Sequence, residues 1–184
     1  MNALRHAFAV LLGCGGLALA QGQYRGLPFP PDEIFEAMLS YADDGGFKGL
    51  SAALGYVRPL TDRLKREFKE DVEEDLRAAI AQRDRRKCRM AVASLIFLDM
   101  RLNLKAATEA EDESLRAALV QMAFIDYGFL SPEIKAADRA LDKAARDAFR
   151  RMHRARDSAL IKELAAGLLG RLWTALSATE PPQE

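Results

Sequence analysis

Histidine and cysteine are nearly missing from this chain, with two of each among 184 residues. Residues 1–20 read as an export leader, and its removal leaves only Cys88 and His153. That excludes zinc-finger ligation, Cys/His and Ser/His triads, an intrachain disulfide and the Cys-x-x-Cys-His attachment of c-type haem. An excess of one charge is also missing: 27 basic residues meet 27 acidic ones. A disordered polyelectrolyte is excluded, and nucleic acid is not an expected partner because no basic–aromatic motif occurs. No glycine lies between Tyr56 and Tyr127 and no proline between Leu60 and Ser131. Nothing in that stretch alternates like a strand. Nucleophile elbows, phosphate-binding glycine loops and zinc motifs are absent, so the chain is expected not to be an enzyme.

What is present first is an address. Arg5 and His6 precede the apolar run Ala7–Leu19, and Ala18-Leu19-Ala20 forms a small-residue cleavage site before Gln21. The run is too short and too rich in glycine for a membrane span. An alternative is lipid anchoring at Cys14, because Leu11-Leu12-Gly13-Cys14 resembles a lipobox. Either way the mature chain is expected in a bacterial periplasm or secreted.

The remainder divides into an extended, Pro/Gly-rich lead-in (21–30), one helical domain (31–178) and a frayed tail (179–184). Ala, Leu, Arg, Glu and Lys dominate the domain, and capping residues mark its helices. A first helix starts near Pro31 and stops at Gly45-Gly46. A second starts near Phe47, is kinked by Pro59 and breaks before Asp71, which with Glu74 forms a capping box. Asp84 caps a long helix from Arg85 to about Ala107. The next runs from about Ser114 to Tyr127 and is ended by Gly128. Ser131-Pro132 opens another, through Met152, and Asp157 or Ser158 restarts a last one through Leu176. The fold expected is all-α, an antiparallel bundle of five to seven helices.

Met90–Leu104 is apolar almost all round and therefore central, yet Asp99 lies in its middle. Val92, Ile96, Asp99 and Asn103 share one face. On the next helix Leu115, Leu119, Met122 and Asp126 do the same. Ala91–Met100 and Ala118–Tyr127 correspond at an offset of 27, with Ala, Phe and Asp recurring. The pattern reads as a repeated helical unit with one inward aspartate from each copy. Buried carboxylates must be paired, protonated or bound to metal. Asp99, Asp126, Asn103, Tyr127 and Glu133 supply hard oxygen donors suited to iron, manganese or calcium. The competing reading pairs each aspartate with an arginine.

His153 with a methionine such as Met38 is a weaker option for non-covalent haem. Arg146, Arg150, Arg151, Arg154 and Arg156 form a basic block, and Glu67–Asp75 an acidic one. Such faces are solvated or dock an oppositely charged partner, here a membrane or redox complex. Oligomeric state is not legible.

The run Ala-Phe-Ile-Asp-Tyr-Gly-Phe-Leu-Ser-Pro-Glu-Ile from Ala123, followed by Asp138, Leu141 and Ala148-Phe149-Arg150-Arg151, resembles the exported helical domain associated with bacterial iron permeases. The likeness covers about residues 123–154. It implies iron handling beside a membrane permease, with Asp126 and Glu133 as ligands. Leu130 and Ser131 depart from the acidic turn of that family. Arg66-Glu67-Phe68-Lys69-Glu70 also matches a short iron motif, but that motif belongs to apolar membrane helices, and here it reads as coincidence.

Overall fold

The structure is a computed structural model, and Tyr24 and residues 26–178 are described. Seven helices follow one another with no strand among the described residues: α1 (Pro31–Asp44), α2 (Phe47–Phe68), α3 (Val72–Ala81), α4 (Arg85–Glu109), α5 (Glu113–Ala137), α6 (Arg139–His153) and α7 (Ser158–Ala178). The expected all-α bundle is what forms. The leader over 1–20, Cys14 and the tail over 179–184 lie outside the described residues.

Short polar side chains set the boundaries. Asp71, Asp84, Asp112 and Asp138 each accept a hydrogen bond from the backbone N–H three residues on, which satisfies a donor that the first helical turn leaves free. Gly45 ends α1 at φ +71°, a left-handed conformation that costs a residue without Cβ nothing.

Pro59 lies inside α2 and does not end it. One expected break does not occur: α5 continues through Gly128 and Pro132 to Ala137, and the turn comes at Asp138 instead. Pro132 has no N–H for the Gly128 carbonyl and its ring presses toward that carbonyl. Both residues are on the exposed side of α5, where water reaches the freed group. The buried face carries Tyr127, Leu130, Ser131 and Ile134 without interruption. Packing of that face outweighs the cost of an interior proline, about 3 kcal/mol.

Helix α4 is the axis of the bundle and touches α1, α2, α3, α5 and α7. Its middle is buried on all sides, as its sequence indicates; Leu95, Ile96, Leu98 and Met100 are at most 1% exposed. Each such side chain contributes about 1.5–3 kcal/mol of hydrophobic stabilisation. Arg101 is the exception. Its guanidinium lies 4.4 Å over the Phe68 ring and bonds Glu70 at 3.2 Å, so it leaves the core sideways. The most extensive contact of α4 is with α5, the helix that carries the second aspartate.

Candidate functional site

One turn of α4 carries Asp99 and Asn103 at positions i and i+4, both completely buried. Across from them α5 presents Asp126, 4% exposed. The Asn103 amide spans the gap: Nδ2 donates to Oδ2 of Asp126 at 3.0 Å and to the hydroxyl of Tyr24 at 2.8 Å. Tyr24 donates in turn to Oδ2 of Asp99 at 2.9 Å. A four-membered polar chain therefore runs through an apolar interior.

The two aspartates do face one shared site, as the repeated pattern indicates. Of the other three expected ligands, the structure adds only Asn103. Tyr127 points the other way. Its hydroxyl donates to Oδ1 of Asp142 at 2.6 Å, where Ser131 also donates at 2.7 Å and Arg146 closes the cluster at 3.1 Å. Adjacent residues on a helix diverge by about 100°, so Asp126 and Tyr127 cannot serve one centre. Glu133 is two turns beyond Asp126, roughly 10 Å along the axis. It pairs with Arg89, which also holds Asp43 and so ties α1, α4 and α5 together. The ligand set read from the sequence is therefore three separate groups.

Tyr24 is the member the sequence did not disclose. It stands in a Gly/Pro-rich stretch without periodicity, and no pattern there assigns it a face. The lead-in brings it home through a turn in which the Leu27 N–H bonds the Tyr24 carbonyl at 3.1 Å. Gly26 takes φ +95° beside Pro59, a backbone conformation that favours a residue without Cβ.

The electrostatics follow from burial. Loss of water pushes the Asp99 carboxyl up to about 7, against the Tyr24 hydrogen bond and the charge of Arg63, which favour ionisation. Asp126 is raised well above the usual range by burial first and then by the charge of Asp99, with the Asn103 bond opposing. The phenol of Tyr24 is raised as well, by burial and by the two carboxylates. Two acids sharing one enclosure titrate as a unit and keep a proton to near neutrality.

Donors are in deficit. Tyr24 has one hydrogen and the Asn103 amide two, and all three are engaged. Oδ1 of Asp99 and Oδ1 of Asn103 are buried acceptors with no donor among the described residues. Acceptor oxygens in excess call for a donor or a cation: an acid proton, a water or a metal ion. No three side chains of the His, Cys, Asp and Glu types converge in metal-binding geometry among the described residues. Any cation here would lean on an amide and a phenol beside two carboxylates.

The remaining candidates disperse. His153 is exposed at the end of α6 while Met38 is buried in α1. Within the basic block, Arg146 turns inward to Asp142 and Arg150 pairs with Asp147 at 2.7 Å. Arg151, Arg154 and Arg156 stay exposed. The acidic block is partly neutralised inside the molecule: Glu67 meets Lys105, Glu70 meets Arg101, and Glu73 meets Arg77.

No helix among the described residues is long and apolar enough to cross a membrane. Comparison of the chain with protein-family models, with curated proteins and with solved structures gives no match.

Proposed function

We propose that this protein is an exported, non-catalytic helical bundle that holds one hard metal ion between Asp99 and Asp126, in the service of a metal-handling membrane partner. The excess of buried acceptor oxygens carries this reading. A divalent or trivalent cation would satisfy both carboxylates at once and displace the proton they otherwise retain. It would also make the Tyr24 phenol more acidic, because the charge of a bound ion reverses the local preference for neutral forms. With the amide of Asn103 turned over, its Oδ1 would become a fourth oxygen donor.

An all-oxygen set favours iron, manganese, calcium or magnesium over copper or zinc. Iron is the ion proposed, because a phenol beside two carboxylates is a hard anionic set once ionised, and because residues 123–154 resemble the iron-permease-associated domain. Periplasmic location rests on the leader-like residues 1–20.

Metal analysis of protein purified from its own host tests the reading, followed by ferric titration of the metal-free chain. About one ion per chain is expected, with a visible phenolate-to-iron absorption that Tyr24→Phe removes. Asp99→Asn combined with Asp126→Asn should abolish uptake. A metal-free protein that takes up no ferric ion, or a double variant that binds like wild type, overturns it.

A second reading is an adaptor that docks through the end of α6. The exposed guanidinium groups of Arg151, Arg154 and Arg156 favour it, since no ion pair engages them among the described residues. It requires a co-purifying acidic partner released by moderate salt, on the scale of screened surface charge.

A further inference from the structure

The acid pair is not equally accessible from both sides. Asp99 is fully enclosed, whereas Asp126 keeps 4% of its surface exposed. That remnant faces a cleft of about 130 Å³ between the lead-in and α5, walled by Tyr24 and Pro30 on one side and by Met122 and Ile125 on the other. Asp32, in the first turn of α1, also lines it. A cleft of this size has room for several waters, enough for a partly hydrated cation.

From these features we infer that the cleft is the path by which a cation reaches the acid pair, with Asp32 as the receiving carboxylate at its mouth and Asp126 as the first ligand inside. The inference rests on the cation-binding reading above.

Three observations converge. Asp32 is near enough for its charge to act on Asp126, so the two carboxylates share a field along the cleft. Its position is partly exposed, which suits capture of a hydrated ion before the costly step of losing water. Tyr24 lines the cleft and also donates to Asp99, so its phenol separates the outer space from the inner oxygen atoms. The order of contact is then Asp32, Asp126, and finally Asp99 with Asn103 once the Tyr24 bond yields. Clefts lined by one sign of charge concentrate counter-ions and raise association rates.

Terbium(III), a hard oxygen-seeking ion whose emission is sensitised by nearby tyrosine, serves as the probe in stopped-flow mixing with the metal-free chain. Ile125 is 42% exposed, so Ile125→Trp narrows the cleft without touching the core. The path predicts that Ile125→Trp slows association and release by the same factor, leaving Kd unchanged. Asp32→Asn should slow association roughly 3- to 10-fold at low ionic strength, with the difference closing at high salt. Tyr56→Trp, on the separate α1–α2 groove, should alter neither rate. Stoichiometric binding with unchanged rates in Ile125→Trp and Asp32→Asn overturns the path and leaves the cation site standing. A wild-type chain that takes up no terbium overturns both.

Discussion

Tyr24 donates its phenolic hydrogen to Asp99 at 2.9 Å although the two are 75 residues apart in the chain. A segment that precedes the first helix thus supplies the only hydrogen bond to Asp99 that the described residues show from a neighbouring side chain. Closing so long a loop costs entropy, and the contact persists because it relieves a buried acceptor.

Tyr24→Phe keeps the ring and removes the hydroxyl. Oδ2 of Asp99 then loses its donor and Asn103 loses an acceptor, so the metal-free protein should be destabilised by about 1–3 kcal/mol. Urea unfolding followed by the fluorescence of Trp173, which packs 5.0 Å from Phe97, measures this directly. A change within error would mean that the lead-in does not hold the site.

The acid pair sets the sign of the pH dependence. Asp99 is held up to about 7 in the folded chain, whereas an unfolded aspartate titrates near 3.9. Between those values the folded state binds more protons, so stability should be greatest below about pH 4 as far as this pair is concerned, and should fall as pH rises to 7. Asp126 is shifted in the same direction and adds to the trend. Metal-free protein should therefore melt several degrees lower at pH 8 than at pH 5. Asp126→Asn should flatten the profile and raise the melting temperature at pH 8. A profile rising through that window would show that the pair is ionised at little cost.

Asp142 is the second buried polar centre, 7% exposed, and its behaviour should be the reverse. Burial pushes its carboxyl up, but hydrogen bonds from Tyr127, Ser131 and Arg146 outweigh that and leave it below the usual range. Asp142→Ala leaves the Tyr127 hydroxyl only its longer bond to the residue-142 carbonyl at 3.3 Å and takes the carboxylate away from Ser131 and Arg146. We expect a loss of about 2–3 kcal/mol, read from denaturant midpoints. Because Tyr127 takes no part in the acid pair, cation uptake should be unaffected by this change.

Gly128→Ala tests the continuous α5. A Cβ there meets nothing within 4 Å, and the position is helical. Replacement should stabilise the chain by about 0.5–1 kcal/mol through helix propensity alone. If the helix ended at Gly128, the same substitution would destabilise it.

Much of the architecture is legible without coordinates. Asp71, Asp84 and Asp157 act as caps where their spacing places them, with the Leu160 N–H bonding Asp157 at 2.9 Å. The apolar surround of Asp99 announces its burial. The break at Gly128 fails because glycine and proline speak only for local cost, and the buried face of α5 overrules them. Glu133 and Tyr127 are close to Asp126 in number but not in direction, and a helix converts small steps of sequence into large angles. Arg89 links Asp43 and Glu133, residues 46 and 44 positions away, a hub that no local pattern indicates.

What the amino-acid order determines by itself is the helical class, most helix ends, and the fact that two aspartates lie on apolar faces. These depend on backbone hydrogen bonds within a turn or two and on the 3.6-residue period, both of which are local. Only the packed chain decides that Asn103 bridges those acids, that Tyr24 completes them, and that Asp126 alone keeps a cleft to solvent. Those depend on how α4, α5 and the lead-in meet in space, which is set by the shape and volume of side chains far apart in sequence.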